Sequence, residues 1–159
     1  MRKFEARNPD FDIRVRSSFK RQAFMGFLGA EIERVEPGLV EIRLDFREEL
    51  CQQHGFFHGG VVGTLADNAG GYAGFSLVAR EDSILTVEYK INLIAPAKGD
   101  RLLARAQVVK SGRTLSVCEM AVFALTGESK VQCASGLGTF MTMANTSDDP
   151  VFTSSSGGS

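Results

Sequence analysis

QQHGFFHGGVVGTLADNAGGYA, residues 52–73, decides how this 159-residue chain folds. From Gly59 to Ala79 the residues are apolar or small except for a few polar side chains and one charge, Asp67. That length can cross a bilayer. Gly63, Gly70, Gly71 and Gly74 each weaken an isolated helix by about 1 kcal/mol relative to alanine. Asp67 near the centre adds roughly 2.5–3.5 kcal/mol to the cost of insertion. A helix apolar on all sides also suits the middle of a globular domain, and a buried helix over 59–79 is expected here. It spans roughly 30 Å, and its glycines and alanines let a sheet approach closely.

On the N-terminal side, residues 11–28 predict an amphipathic helix. Phe11, Val15, Phe19, Ala23 and Phe27 recur every four residues and form one stripe, with Asp10 as its N-cap. The helix either docks on the domain or forms a lid over a pocket. Residues 29–36 and 38–47 predict two strands joined at Pro37-Gly38. In the second, Val40, Ile42, Leu44 and Phe46 alternate with Glu41, Arg43, Asp45 and Arg47, the pattern of a half-buried strand. Beyond the central helix, Leu85, Val87, Tyr89, Ile91 and Leu93 alternate with Thr86, Glu88, Lys90 and Asn92 over 83–95. Two further strands are expected at about 100–110 and 114–125, and a last one at 129–143. Residues 1–143 therefore read as one α+β domain, a curled antiparallel β-sheet wrapped around a long central α-helix. Residues 144–159, ending in FTSSSGGS, read as a flexible tail.

Composition narrows the function. Apolar residues make up 43% and charged residues 23%, with a net charge of −1 and a pI near 6.1. No large basic field attracts nucleic acid. Cys51, Cys118 and Cys133 show no metal-ligand spacing, so no metal is expected. Their odd number suits free thiols in a reducing compartment. The first residues lack a secretory apolar run. A cytoplasmic location without a membrane span follows.

The chemistry gathers at His58-Gly59-Gly60 and at Asp67. Helix-start N–H groups have no internal partner and carry partial positive charge. Gly59 and Gly60 can therefore form an oxyanion hole. Asp67 is the single charge on a helix destined for burial, and no basic residue lies within one turn of it. Burying an unpaired carboxylate is costly, which marks Asp67 as a general base or nucleophile. Gly60 and Asp67 share a helix face but stand about 10 Å apart along the axis. Attack needs reacting atoms about 3 Å apart. A two-fold dimer with antiparallel helices brings Asp67 of one chain to Gly60 of the other, so a homodimer or homotetramer is expected.

The motif at 52–73 resembles the signature of the phenylacetyl-CoA thioesterase family of hotdog proteins, and the matching order of strands covers about residues 24–143. The resemblance implies hydrolysis of an acyl-CoA thioester, with coenzyme A as part of the substrate and no other cofactor. It implies that Asp67 activates water or attacks, and that the Gly59 N–H polarises the carbonyl. It assigns Gln52, six residues before His58, a contact to the carbonyl. Several relatives carry Asn there. Thr86 matches a Ser or Thr that holds the water in some relatives, although strand alternation places it opposite Leu85 and Val87. His58 shapes the site, since no Ser or Cys nucleophile with an orienting acid accompanies it. Lys90, Lys98, Arg101, Lys110 and Arg113 are candidates for the phosphates of coenzyme A, and Lys110–Arg113 resembles a hairpin near the nucleotide in relatives. Phe56, Phe57, Tyr72 and Phe75 are candidate acyl contacts. Two alternatives stand beside this reading: a hotdog hydratase, whose Asp–His pattern is missing, and a non-catalytic acyl-CoA binder.

Overall fold

The computed structural model describes residues 4–149. Helices α1 (Phe11–Lys20) and α2 (Ala23–Leu28) precede strands β1 (Glu31–Glu36) and β2 (Leu39–Asp45). The central helix α3 (Gly59–Phe75) comes next, then β3 (Ser83–Leu93), β4 (Arg101–Ser111), β5 (Leu115–Thr126) and β6 (Ser129–Met143). The six strands form one antiparallel sheet in the order β1-β2-β4-β5-β6-β3. α3 lies on its concave face and touches every strand from β2 to β6. This is the expected hotdog fold.

The alternation in β2 buries Val40, Ile42 and Leu44. They meet Val62, Leu65, Ala66 and Ala69 of α3, with Leu102, Met120, Val122 and Phe140 from the later strands. Close approach requires glycine at one point above all. A Cβ on Gly70 would stand 2.5 Å from the Phe140 ring and 2.9 Å from the Met120 sulfur. α3 ends at Phe75 rather than Ala79 because Ser76 stops it. The Ser76 hydroxyl donates to Ala73 O at 2.7 Å and accepts the Gly38 N–H at 2.8 Å. No helix among the described residues is long and apolar enough to cross a membrane.

The N-terminal segment departs from the single helix expected over 11–28. It breaks at Arg21-Gln22, where the N–H groups turn back to Ser18 O and Phe19 O in three-residue steps. Two short helices thereby bury Val15, Phe19, Met25 and Leu28, while Phe27 is left 74% exposed. One continuous four-residue stripe cannot follow a surface that turns. Asp10 makes no side-chain cap. Instead Asn8 Oδ1 accepts the Asp10 N–H at 3.1 Å. Beyond β6, Arg21 donates to the carbonyl and carboxylate of Asp148. Residues 150–159 of the expected tail lie outside the described residues.

A second departure lies in β3. Thr86 pairs with Phe140 and Glu88 with Thr139, so Val87 is an extra residue, a β-bulge. A bulge reverses which side chains face the core. Ile84 and Thr86 face α3 before it, and Tyr89, Ile91 and Leu93 face α3 after it. Leu85 and Val87, expected on the same face as Tyr89, are 55% and 54% exposed. β3 is also a sheet edge.

Candidate functional site

The loop before α3 is held so that His58 caps the helix. Phe57 N–H donates to Ala97 O, and His58 N–H to Leu50 O, both at 2.9 Å. His58 O then accepts the N–H groups of Val61 and Val62. His58 Nδ1 accepts the Gly60 N–H at 2.9 Å, which places the proton of the neutral ring on Nε2. The oxyanion pair read from sequence is therefore corrected. Gly60 spends its N–H on its own cap, and of the first-turn donors Gly59 is left without a protein partner among the described residues. Gln52 stands beside it. Its Oε1 accepts the His54 N–H, which fixes the side chain and leaves the NH₂ group for another partner. Gln52 and Gly59 line a cleft of about 420 Å³ with Phe57, Leu93 and Ala97.

Asp67 lies two turns further along α3, half-buried. Thr86 Oγ1 donates to its Oδ1 at 2.8 Å. The bulge at Val87 is what turns Thr86 toward the carboxylate, and it resolves the conflict with simple alternation. Burial pushes the Asp67 carboxyl above the usual aspartate range, and the Thr86 hydrogen bond pulls it part of the way back. No cation pairs with it among the described residues. A carboxylate under those conditions is a stronger base than one tied to an arginine.

Asp67 and Thr86 line a cleft of about 630 Å³ with Tyr72, Phe75, Ile84 and Gln22. Its lining shares no residue with that of the Gly59 cleft. One chain holds the carboxylate and the donor about 12 Å apart along α3. A larger hollow of about 840 Å³ lies between α1 and residues 145–149, and no α3 residue lines it. Three of the four aromatic candidates divide in the same way, Phe57 with Gly59 and Tyr72 with Phe75 beside Asp67, while Phe56 lines neither cleft.

The five cations do not form one patch in a single chain. Arg101 pairs with Asp45, with Nε 2.6 Å from Oδ1, and both side chains stay exposed. Lys90 Nζ donates to Asn92 Oδ1 at 2.6 Å. Lys98 follows the Gly59 cleft in the loop after β3, whereas Lys110 and Arg113 lie at the opposite end of the sheet, all three exposed. Sequence reading missed Ser18 and Gln22, which the helix break carries to the wall of the Asp67 cleft. Cys118 and Cys133 are buried, and burial pushes the Cys118 thiol up to about 12, which suits packing and not nucleophilic attack.

The thioesterase superfamily profile matches residues 54–131, which include both Gly59 and Asp67. A thioesterase family protein of Silicibacter pomeroyi has a solved structure 43% identical to this chain, with a TM-score of 0.83, covering 84% of this chain and 98% of that one. A Saccharolobus solfataricus protein bearing only the general name esterase is 32% identical over 135 residues, 85% of this chain and 87% of its own. The 1,4-dihydroxy-2-naphthoyl-CoA hydrolase of Listeria monocytogenes is 27% identical over 95 residues, 60% of this chain and 77% of its own.

Proposed function

The chain belongs to the thioesterase superfamily, and on that footing we propose that it hydrolyses acyl-CoA thioesters at two sites, each shared between two copies of residues 1–143. The observation that carries this reading is the separation of Asp67 and Gly59 into clefts at opposite ends of one edge strand. Thr86 of β3 touches Asp67, and Leu93 of β3 lies against Gly59. Antiparallel pairing of two β3 edges, two-fold about the midpoint between Tyr89 and Lys90, sets the Asp67 end of one copy beside the Gly59 end of the other. The exposed Leu85, Val87, Tyr89 and Leu93 give that edge an apolar surface to bury. The coenzyme A ester as substrate class has the support of the Listeria relative's name.

In this mechanism the thioester carbonyl points at the Gly59 N–H, with the Gln52 amide as second donor. The Asp67 carboxylate takes a proton from water or attacks the carbonyl carbon itself. Either route puts negative charge on the carbonyl oxygen, where a fixed donor is worth about 10²–10³ in kcat. Coenzyme A leaves as thiolate, and the proton held by Asp67 passes to it or to solvent; on the attacking route a water then opens the Asp67 anhydride and releases the acid. The three free cysteines fit a reducing compartment, and we place the enzyme in the cytoplasm.

The test is complementation, read as thiol release across a panel of acyl-CoAs. Asp67→Asn removes the base, and Gly59→Pro removes the donor at a first-turn position that tolerates proline. Each variant alone should be inactive. Mixed and reassorted, they regain one intact site per heterodimer, about one quarter of wild-type activity for random pairing. No recovery from a verified heterodimer refutes the shared site. Tight acyl-CoA binding without thiol release in the wild type would establish the binding-protein alternative.

A further inference from the structure

The cleft that holds Asp67 continues along α3 and ends on polar groups. Asn68 and Gly71 follow Asp67 along its floor, then Tyr72 and Phe75, about 12 Å of helix in all. Ala23, Ile84 and Leu85 supply apolar sides. At the far end, three side chains from three elements converge. Gln22 Nε2 donates to the Tyr72 hydroxyl at 2.8 Å, and Ser18 Oγ lies 3.1 Å from the same oxygen. The Tyr72 ring is fixed by edge-on contacts with Phe19 and Phe75, at centroid distances of 5.6 and 6.0 Å. Gln22 reaches this point because the chain is extended there, at φ −75° and ψ 103°, in the break between α1 and α2.

The cluster has hydrogen-bonding capacity left over. A glutamine amide offers two donors and one acceptor, and only one donor is used. Among the described residues the Gln22 Oε1 and its second N–H have no protein partner, and the Oε1 is not sealed from solvent. A plain alkyl end lying here strips water from these atoms and returns nothing. An end that carries a hydroxyl replaces the water. Sites built to bond a substrate hydroxyl discriminate strongly against the analogue that lacks it.

Within the thioesterase reading above, we infer that Ser18, Gln22 and Tyr72 form the specificity element of the acyl cleft, selecting compact acyl groups that carry a hydrogen-bonding group at the end remote from the thioester. From Asp67 to Tyr72 the helix rises about 7.5 Å, the reach of a chain of about six carbons.

The test compares hexanoyl-CoA with 6-hydroxyhexanoyl-CoA. The readout is the ratio of their kcat/KM values, which does not depend on the folded fraction of a variant. Wild-type enzyme should favour the hydroxylated ester by about tenfold or more. Gln22→Leu and Tyr72→Phe should each bring the ratio close to one. A wild-type ratio near one overturns the inference, as does a ratio that both variants retain. Thiol release from no member of the acyl-CoA panel is a different result. It refutes the proposed function, and this inference falls with it.

Discussion

Replacing Asp67 with Asn separates the chemical role of this side chain from its structural one. The carboxylate has one hydrogen-bond partner, Thr86 Oγ1 at 2.8 Å, and no cation beside it among the described residues. An amide of nearly equal volume keeps an oxygen to accept that bond. It cannot take a proton from water or attack as a nucleophile. A positioned general base contributes about 10²–10⁴ in rate, so kcat for thiol release should fall by that factor. Stability should move the other way. Burial raises the folded-state carboxyl above its ordinary value, so the favourable contribution belongs to the protonated form. It is fully present below the unfolded value near 3.9 and is lost as pH rises through the raised folded value. At neutral pH the wild type has lost it, whereas Asn never titrates. The Tm of Asp67→Asn should equal or exceed that of the wild type at pH 7, and the gap should close toward acid pH. Stopped thiol-release assays and thermal melts at a series of pH values on one preparation measure both quantities. A kcat within tenfold of wild type refutes the mechanism. Lost activity with a collapsed Tm refutes the separation of roles.

Three other outcomes follow from the same geometry. Thr86→Val removes the bond that holds the Asp67 carboxyl down, so the acid limb of the kcat/KM profile should move to higher pH, and an unmoved limb would show that the bond has no effect on the base. Tyr89→Lys sets new positive charge beside Lys90 at the two-fold midpoint of β3; sedimentation should find monomers, with activity down more than tenfold, and a fully active monomer would remove the shared site. Phe140→Ala empties the space against Gly70 and Gly138, where the ring is fully buried; the expected loss is about 3–5 kcal/mol, read as a fall in denaturant midpoint with little change in slope.

The sequence made α3 legible because the Gly59–Ala79 run contains a single charge, and it made β2 legible because strict alternation has one structural reading. The turn at Pro37-Gly38 was equally plain, and Gly38 has the positive φ of 77° that favours glycine. The features that escaped are those decided by distant partners. The break at Arg21-Gln22 depends on Tyr72, fifty residues away in sequence, and the four-residue stripe of Phe11 to Phe27 hid it. The loss of the Gly60 donor depends on which way the His58 ring turns, and two adjacent glycines do not reveal that. The Arg101–Asp45 ion pair escaped because the two residues are neighbours only once β2 and β4 pair.

The extra residue in β3 acts as a phase shift. Upstream of Val87 the even-numbered side chains look inward, and downstream the odd-numbered ones do. Lose the bulge at constant length and the downstream half, held by Tyr89, Ile91 and Leu93, sets Val87 opposite Phe140 while Thr86 turns away from Asp67. The carboxylate then faces an aliphatic group with no hydroxyl to bond. Deletion of Val87 does the reverse. Thr86–Phe140 and Glu88–Thr139 become consecutive pairs, strict alternation is restored, and Thr86 still meets Asp67. A single-codon deletion at Val87 should therefore yield a folded protein whose base keeps its hydroxyl partner.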